Sequence, residues 1–334
     1  MLFSTYSFPD LTDIINLNFA ERMMKHPRQM AKTGIVKSEV IPANSGDSRL
    51  HAEAYSDTEY AMRRNEGEQS KSKIVVDGYK KFTKAQDVSI SANITENMRR
   101  YGKNKEIETQ ILSLSDIPMN REELDLAHRL TFGFVSSYVN SDGETVDVTV
   151  GNGLSLINPL HTLTGSATTF RNQVAGNPTC STAAIEAAES LFTLMPDNLG
   201  NLINMTPEVI ITTNDPATVN NVKTFLQSTA AISAPNANVV NVYEGKYRHQ
   251  MVDRLDTDAK GAKDATKKLY WFLASTDKSS FMQDVYKPLM LTAPTVGDGQ
   301  EVLTGTWTYN SCMAYGLAIL NGQWIVGSKG DGTI

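Results

Sequence analysis

The sequence predicts a fold that mixes α-helices and β-strands, of either the α/β or the α+β class. In the second half of the chain, capped amphipathic helices alternate with β-branched runs such as residues 208–213, Glu-Val-Ile-Ile-Thr-Thr. Hydrophobic residues make up 40% of the 334 residues and charged residues 20%, so the chain can form a core. The length fits one large domain or a few smaller ones, and no repeat of fixed period is visible.

The N-terminal quarter is predicted to be a short helix followed by a weakly apolar segment. Residues 4–25 show a loosely helical apolar pattern, which Pro27 ends. Residues 33–84 are dominated by Gly, Ser, Asn, Asp, Glu and Lys, and such a stretch cannot bury much surface alone. We therefore expect a disordered segment, a long functional loop, or an arm that becomes ordered by packing on neighbouring subunits.

The clearest predicted helix spans residues 120–139. We expect Pro118 to break the structure before it, Asn120 to be its N-cap and Glu123 to close a capping box. Its apolar residues recur every three or four positions and are Leu124, Ala127, Leu130, Phe134 and Tyr138. A helix of this length would be roughly 30 Å long.

The other predicted elements are shorter. Upstream of the long helix, residues 88–92 alternate like a strand and Thr95 can cap a short helix. Downstream, Ser181 caps one helix and Asp215 another, with Pro216 at its first position. Further strands are predicted at residues 145–150, 207–214, 239–243, 251–255 and 269–274. The tail, residues 303–326, resembles strand pairs joined by a hairpin turn at Asn321-Gly322.

Charge and cysteine content exclude several classes of protein. A net charge of −6 argues against sequence-specific DNA recognition, although basic residues can still be segregated on one face. Cys180 and Cys312 lie far apart and outside any CxxC pair, so we expect two reduced thiols. The first fifteen residues lack the pattern of a secretory signal, and no window is apolar enough to span a membrane. We expect the protein to fold in a cytoplasm.

No arrangement of residues predicts catalysis. The five histidines form no metal-binding motif, so neither a metal nor a cofactor is expected, and His128 on the long helix is expected to be packed or solvated. A nucleophile elbow and a phosphate-binding loop are both absent. One alternative stays open, a hydrolase that uses Cys180 with His161 as a thiol–imidazole pair.

Basic residues cluster in two places. Each cluster is either a solvated face or a surface that meets DNA phosphates or acidic patches of neighbouring subunits. The residues concerned are Lys71, Lys73, Lys80, Lys81 and Lys84 in one cluster, and Arg99, Arg100, Lys103 and Lys105 in the other.

Several segments together resemble the Mu-like branch of tailed-phage major capsid proteins, which have the Hong Kong 97 fold. Residues 121–134 resemble the long spine helix of that family. Residues 153–166 resemble a Gly-containing apolar run with His161 near its end, although Asn152 stands where Asp is commoner. Residues 181–188 resemble the second helix, and the expected order of segments continues to Ala274. The resemblance covers residues 92–274 and depends on order and spacing.

The resemblance implies an α+β fold and a structural role. It implies an N-terminal arm at residues 1–50, an extended loop at 51–92, a peripheral domain at 93–198 and 300–334, and an axial domain at 199–299. The implied function is a subunit that assembles as pentamers and hexamers into an icosahedral virion shell enclosing double-stranded DNA. Scaffolding, portal and decoration proteins are its implied partners, and the host bacterial cytoplasm is the implied place of assembly. An encapsulin-like shell, which carries enzyme cargo, is the alternative within the same fold.

Overall fold

A computed structural model describes residues 8–101, 103–229, 240–295 and 297–332 of the chain. Its helices are α1 Phe8–Lys25, α2 Gln29–Thr33, α3 Glu96–Arg100, α4 Asn104–Thr131, α5 Thr182–Thr193, α6 Pro216–Gln227 and α7 Gly299–Thr304. Its strands are β1 Val36–Val40, β2 Ser48–Ser56, β3 Val75–Lys84, β4 Gln86–Thr95, β5 Ser137–Val139, β6 Thr145–Asp147, β7 His161–Thr162, β8 Thr169–Phe170, β9 Val209–Thr212, β10 Arg248–Met251, β11 Trp271–Ala274, β12 Phe281–Thr292, β13 Thr306–Ile319 and β14 Ile325–Ser328.

Two four-stranded sheets organise the fold. The first has the order β1-β12-β13-β4, in which β1 runs parallel to β12 and the other pairs are antiparallel. Helices α1 and α4 cover one face of it, with an apolar cluster of Ile15, Phe19, Ala92, Ile94, Met98, Ile107, Ile111, Leu114, Trp307 and Tyr309. The second sheet has the order β10-β9-β11-β14 and carries the larger core, to which α5 and α6 contribute.

The long helix differs from the predicted one at both ends, because it begins at Asn104 and passes through Pro118. Proline lacks the N–H that would donate to the carbonyl four residues earlier, here that of Leu114. Ser311 of β13 is fully buried and its Oγ donates to this carbonyl at 2.5 Å. A contact from a distant strand therefore supplies the hydrogen bond that the proline removes, and the helix continues.

At its C-terminal end α4 stops at Thr131, before the predicted Val139. The ring of Phe132 stacks on that of Tyr138 with centroids 4.1 Å apart, which folds the chain back into the short β5–β6 pair. Phe134 and Tyr138 continue the apolar pattern of the helix although both lie beyond its end. The periodicity therefore could not show where the helix ends.

Three other predictions are wrong. The expected strand at 239–243 is not formed, because residues 242–243 are in a turn and Asn241 Nδ2 donates to the carbonyls of Phe225 and Ser228. The expected strand at 251–255 ends at Met251. Asn321-Gly322 does not close a hairpin, because β13 belongs to the first sheet and β14 to the second. This dipeptide instead connects the two sheets.

The predicted caps of α3, α5 and α6 are confirmed, whereas the predicted cap of the long helix is wrong. Asn120 lies inside α4, where its Oδ1 accepts from Arg254, and Glu123 accepts from the N–H of Met30. Ser181 accepts a hydrogen bond from the N–H of Ala184, and Asp215 accepts one from Thr218. Thr95 accepts one from Met98 at the start of α3. The predicted strands around Val209–Thr212 and Trp271–Ala274 are also present. Capping depends on residues close in sequence, so it can be predicted without knowing the tertiary structure.

Candidate assembly surface

Strands β2 and β3 form an antiparallel hairpin within the weakly apolar segment. Among the described residues they pair with each other alone, in a register that places Arg49 opposite Thr83, Leu50 opposite Phe82 and His51 opposite Lys81. A two-stranded hairpin has marginal stability in water when it stands alone. Its two faces must therefore find other partners.

The face that carries Arg49, His51 and Thr83 packs on the protein's own first sheet. His51 Nε2 lies 2.7 Å from Asp284 Oδ2 in β12, and Thr83 Oγ1 donates to the same oxygen. Arg49 lies between two carboxylates, 2.7 Å from Glu39 and 3.4 Å from Asp284. Hydrogen bonds and ion pairs hold the root of the hairpin, so apolar packing is not its main support there.

The same face continues along the body of the protein. Lys81 Nζ lies 2.5 Å from Asp147 Oδ2, and Tyr79 Oη lies 3.0 Å from Thr162 Oγ1. Further out, Tyr55 passes so close to Gly165 that a Cβ on this glycine would lie 2.9 Å from the tyrosine hydroxyl. The inward face of the hairpin is therefore largely polar throughout.

The opposite face points to solvent and exposes several apolar side chains beside the polar Ser48 and Lys84. Leu50 is 44% exposed, its cross-strand partner Phe82 is 67% exposed and Val75 is 65% exposed. Ala52 and Ala54 are exposed on the same face, which also carries the ion pair of Lys80 with Asp77 at 2.7 Å. A strand on the surface of a monomer normally turns its apolar side chains inward. The reversed polarity of this hairpin marks the outward face as a contact surface.

Four of the nine predicted basic residues have acidic partners within the chain. Besides the ion pairs of Lys80 and Lys81, Arg100 lies 2.5 Å from Glu96 and Lys103 lies 3.2 Å from Glu106. Lys71, Lys73, Lys84 and Lys105 are exposed and form no ion pair with any described residue. The side chain of Arg99 lies outside the described residues. These positions fall on two separate elements, the hairpin and the α3–α4 region.

The two candidate nucleophilic residues are packed in the interior. Cys180 is 2% exposed, and burial raises the pKa of its thiol to about 12, so it is protonated at neutral pH. His161 stacks on Phe170, donates from Nε2 to the carbonyl of Leu156 and accepts at Nδ1 from Asn152. Burial lowers its pKa to about 4. The thiol is buried and protonated, and both nitrogens of the imidazole are already hydrogen-bonded within the protein. These environments count against a hydrolase that uses Cys180 and His161.

His128 is also buried. Its Nε2 lies 3.1 Å from Thr257 Oγ1, and burial, together with the nearby charge of Lys267, lowers its pKa to about 4. The expectation of a packed histidine is confirmed. In the part of the chain that the structure describes, no group of three or more His, Cys, Asp or Glu could hold a metal ion. No described helix is long and apolar enough to cross a membrane.

Comparison with known proteins identifies the fold. No protein-family profile and no curated protein matches the chain. The capsid of Ralstonia phage GP4 is 15% identical, with a TM-score of 0.52 over 88% of this chain and 86% of that one. The cyanophage Pam1 capsid asymmetric unit is 14% identical, with a TM-score of 0.51 over 92% and 94%. The mature capsid of bacteriophage PhiM1 is 10% identical, with a TM-score of 0.51 over 88% and 85%.

The chain has the fold of phage capsid proteins. The predicted α+β fold of the Hong Kong 97 type is therefore confirmed, whereas membership of the Mu-like branch stays a prediction. At identities of 10–15% the likeness establishes the fold alone. The fold alone does not fix the function, so the surface of the chain has to indicate it.

Proposed function

We propose that this chain is the major capsid protein of a tailed bacteriophage. It assembles as pentamers and hexamers into an icosahedral shell around double-stranded DNA, and as a shell subunit it carries out no catalysis. The observation that carries the proposal is the reversed polarity of the β2–β3 hairpin on a capsid fold. Its polar face is used within the chain, and its apolar face is left for another copy.

Further apolar residues are exposed on other elements. Leu17 and Met24 on α1 are 71% and 82% exposed, and Val302 and Leu303 on α7 are 74% and 82% exposed. Burying a large apolar side chain contributes roughly 1.5–3 kcal/mol, so several such contacts on different sides can hold a subunit among several neighbours. Repetition of these contacts under closed symmetry makes individually modest interfaces stable.

We also propose the domain organisation that this role implies. Residues 1–50 form the arm, 51–92 the extended loop, 93–198 and 300–334 the peripheral domain and 199–299 the axial domain. Strand β14 lies in the C-terminal segment of the peripheral domain but pairs with β11 of the axial domain. The C-terminus therefore ties the two domains together.

Contact with the packaged DNA is proposed for the exposed basic residues. Lys71, Lys73 and Lys84 lack internal partners among the described residues, and they are the best candidates. The exposed ion pairs of Lys80, Arg100 and Lys103 are weak enough to exchange partners at low cost. Scaffolding, portal and decoration proteins remain proposed partners, with assembly in the host bacterial cytoplasm and the virion as final location.

The test is assembly of the purified recombinant chain, observed by negative-stain electron microscopy over a range of protein and salt concentrations. We expect rings, capsomers, tubes or closed shells from the natural sequence. Phe82→Asp places a charge on the outward face and should keep the chain dispersed, whereas the matched variant Phe82→Leu should assemble. A natural chain that stays monomeric under every condition, including in the presence of a scaffolding protein, would contradict the proposal, and so would a Phe82→Asp chain that assembles normally.

A further inference from the structure

Asp284 occupies an unusual position in the first sheet. It lies within β12, is 1% exposed, and pairs in register with Gly316 of β13. A buried carboxylate in the middle of a sheet is costly unless several donors surround it. Among the described residues, the side-chain donors to Asp284 all come from the hairpin that crosses the sheet at this point.

Both strands of the hairpin contribute donors to Asp284. From β2, His51 contacts Oδ2 at 2.7 Å and Arg49 approaches Oδ1 at 3.4 Å. From β3, Thr83 donates to Oδ2, and its hydroxyl also lies 3.1 Å from that of Tyr286. One buried carboxylate therefore joins two strands of the hairpin to a strand of the sheet.

Gly316 makes this close crossing possible. A Cβ at this position would lie 2.8 Å from the carbonyl oxygen of Lys84 and 3.1 Å from the Cβ of Thr83. A contact of 2.8 Å is too short, and the backbone carbonyl of Lys84 cannot rotate away from it as a flexible side chain could. Any larger residue would therefore push β3 away from the sheet at the point where Asp284 holds it.

We propose that Asp284 is a positioning residue, which clamps the root of the β2–β3 hairpin to the sheet and so sets the direction in which its apolar face meets a neighbouring copy. The clamp follows from the contacts of the chain alone, whereas its consequence for neighbours rests on the proposed shell function.

Because the clamp lies at the root of the hairpin, a small rotation there moves the far end of the hairpin by several ångströms. Ser56 lies seven positions beyond Arg49, which is roughly 23 Å of extended strand. A rotation of about 10° at the root would shift the far end of β2 by about 4 Å, enough to separate apolar contacts that need about 4 Å between heavy atoms. The outer contacts of the hairpin resist this rotation less, because the side chain of Asp147 is 59% exposed.

Hydrogen exchange of the unassembled chain, followed by mass spectrometry, tests the clamp directly. Asp284→Asn keeps the shape of the side chain and removes its charge, and Gly316→Ala adds one methyl group at the crossing. Both should speed exchange of the amides in residues 48–56 and 75–84 by about tenfold to a hundredfold, while β9 and β11 keep their protection. The matched control Asp77→Asn removes an exposed carboxylate of the same hairpin and should change nothing.

The outcomes separate the clamp from the shell function. Unchanged hairpin exchange in Asp284→Asn would overturn the clamp whether or not the chain assembles. If Asp284→Asn or Gly316→Ala loses amide protection throughout the chain, His51→Ala decides, because it removes one of the donors to Asp284 and should loosen only the hairpin.

A chain that never assembles but shows the expected exchange retains the clamp and contradicts the shell function. In an assembling chain, Asp284→Asn should give particles of altered or variable diameter in electron micrographs. Particles of natural diameter from a variant with a loosened hairpin would overturn the effect on neighbours.

Discussion

Replacing Ser311 by alanine tests how α4 tolerates a proline in its interior. The Ser311 hydroxyl is buried and donates to the Leu114 carbonyl, to which Pro118 cannot donate because it has no N–H. Ser311→Ala leaves that carbonyl buried without this donor, which should lower the free energy of unfolding by about 1–3 kcal/mol. Little volume is lost, so a cavity adds almost nothing to this figure.

The cause can be isolated with a double-mutant cycle. Pro118→Ala restores an N–H that can donate to Leu114, so in its presence Ser311→Ala should cost at least about 1 kcal/mol less. Urea denaturation of the unassembled chain, monitored by circular dichroism, gives the four free energies of unfolding. Ser113→Ala is the control, because its hydroxyl donates to Gln110 within the helix and its cost should not depend on residue 118. An equal cost of Ser311→Ala with and without Pro118→Ala would refute the explanation.

Two further predictions concern buried titratable groups. The rings of His128 and His161 have pKa values lowered to about 4, whereas an unfolded imidazole titrates near 6.5. The unfolded state therefore takes up protons that the folded state does not, and stability should fall as the pH falls from about 6.5 towards 4, by on the order of 3 kcal/mol per ring. Urea midpoints measured across this range check the slope, which His161→Gln should reduce; a flat profile would contradict it. For the thiols, half-buried Cys312 should react with a thiol reagent at pH 8 while Cys180 reacts only after denaturation, and Cys180→Ser should leave assembly unimpaired. Rapid modification of Cys180 in the folded chain, or failed assembly of the variant, would show that this interpretation is wrong.

The elements that the sequence predicted correctly depend on neighbours in the chain. Ser181 and Asp215 cap their helices through N–H groups three residues away, so no tertiary knowledge is needed. The failures involve distant partners. Pro118 ends a helix by any local rule, yet Ser311, 197 positions from the carbonyl it serves, allows the helix to continue. Asn321-Gly322 is a favoured hairpin turn, but its flanking strands find partners in two different sheets.

The hairpin was missed for a different reason. Averaged over residues 33–84, the composition is too polar for a core, and that average led us to keep disorder among the possibilities. A strand is indicated by the alternation of polar and apolar residues at 49–54, in which Leu50, Ala52 and Ala54 each follow a polar residue. Even so, the alternation would have predicted the wrong orientation, because the usual rule buries the apolar face within the same chain.

The orientation depends on Asp284, which no local pattern connects with the hairpin. Once a buried carboxylate in the sheet requires donors, the polar face of the hairpin has to turn inward and the apolar face has to turn outward. A segment too polar to fold alone thereby becomes ordered in the single chain and still keeps its apolar residues for a neighbour. The same residues thus stabilise the monomer on one face and, on the proposed function, the assembly on the other.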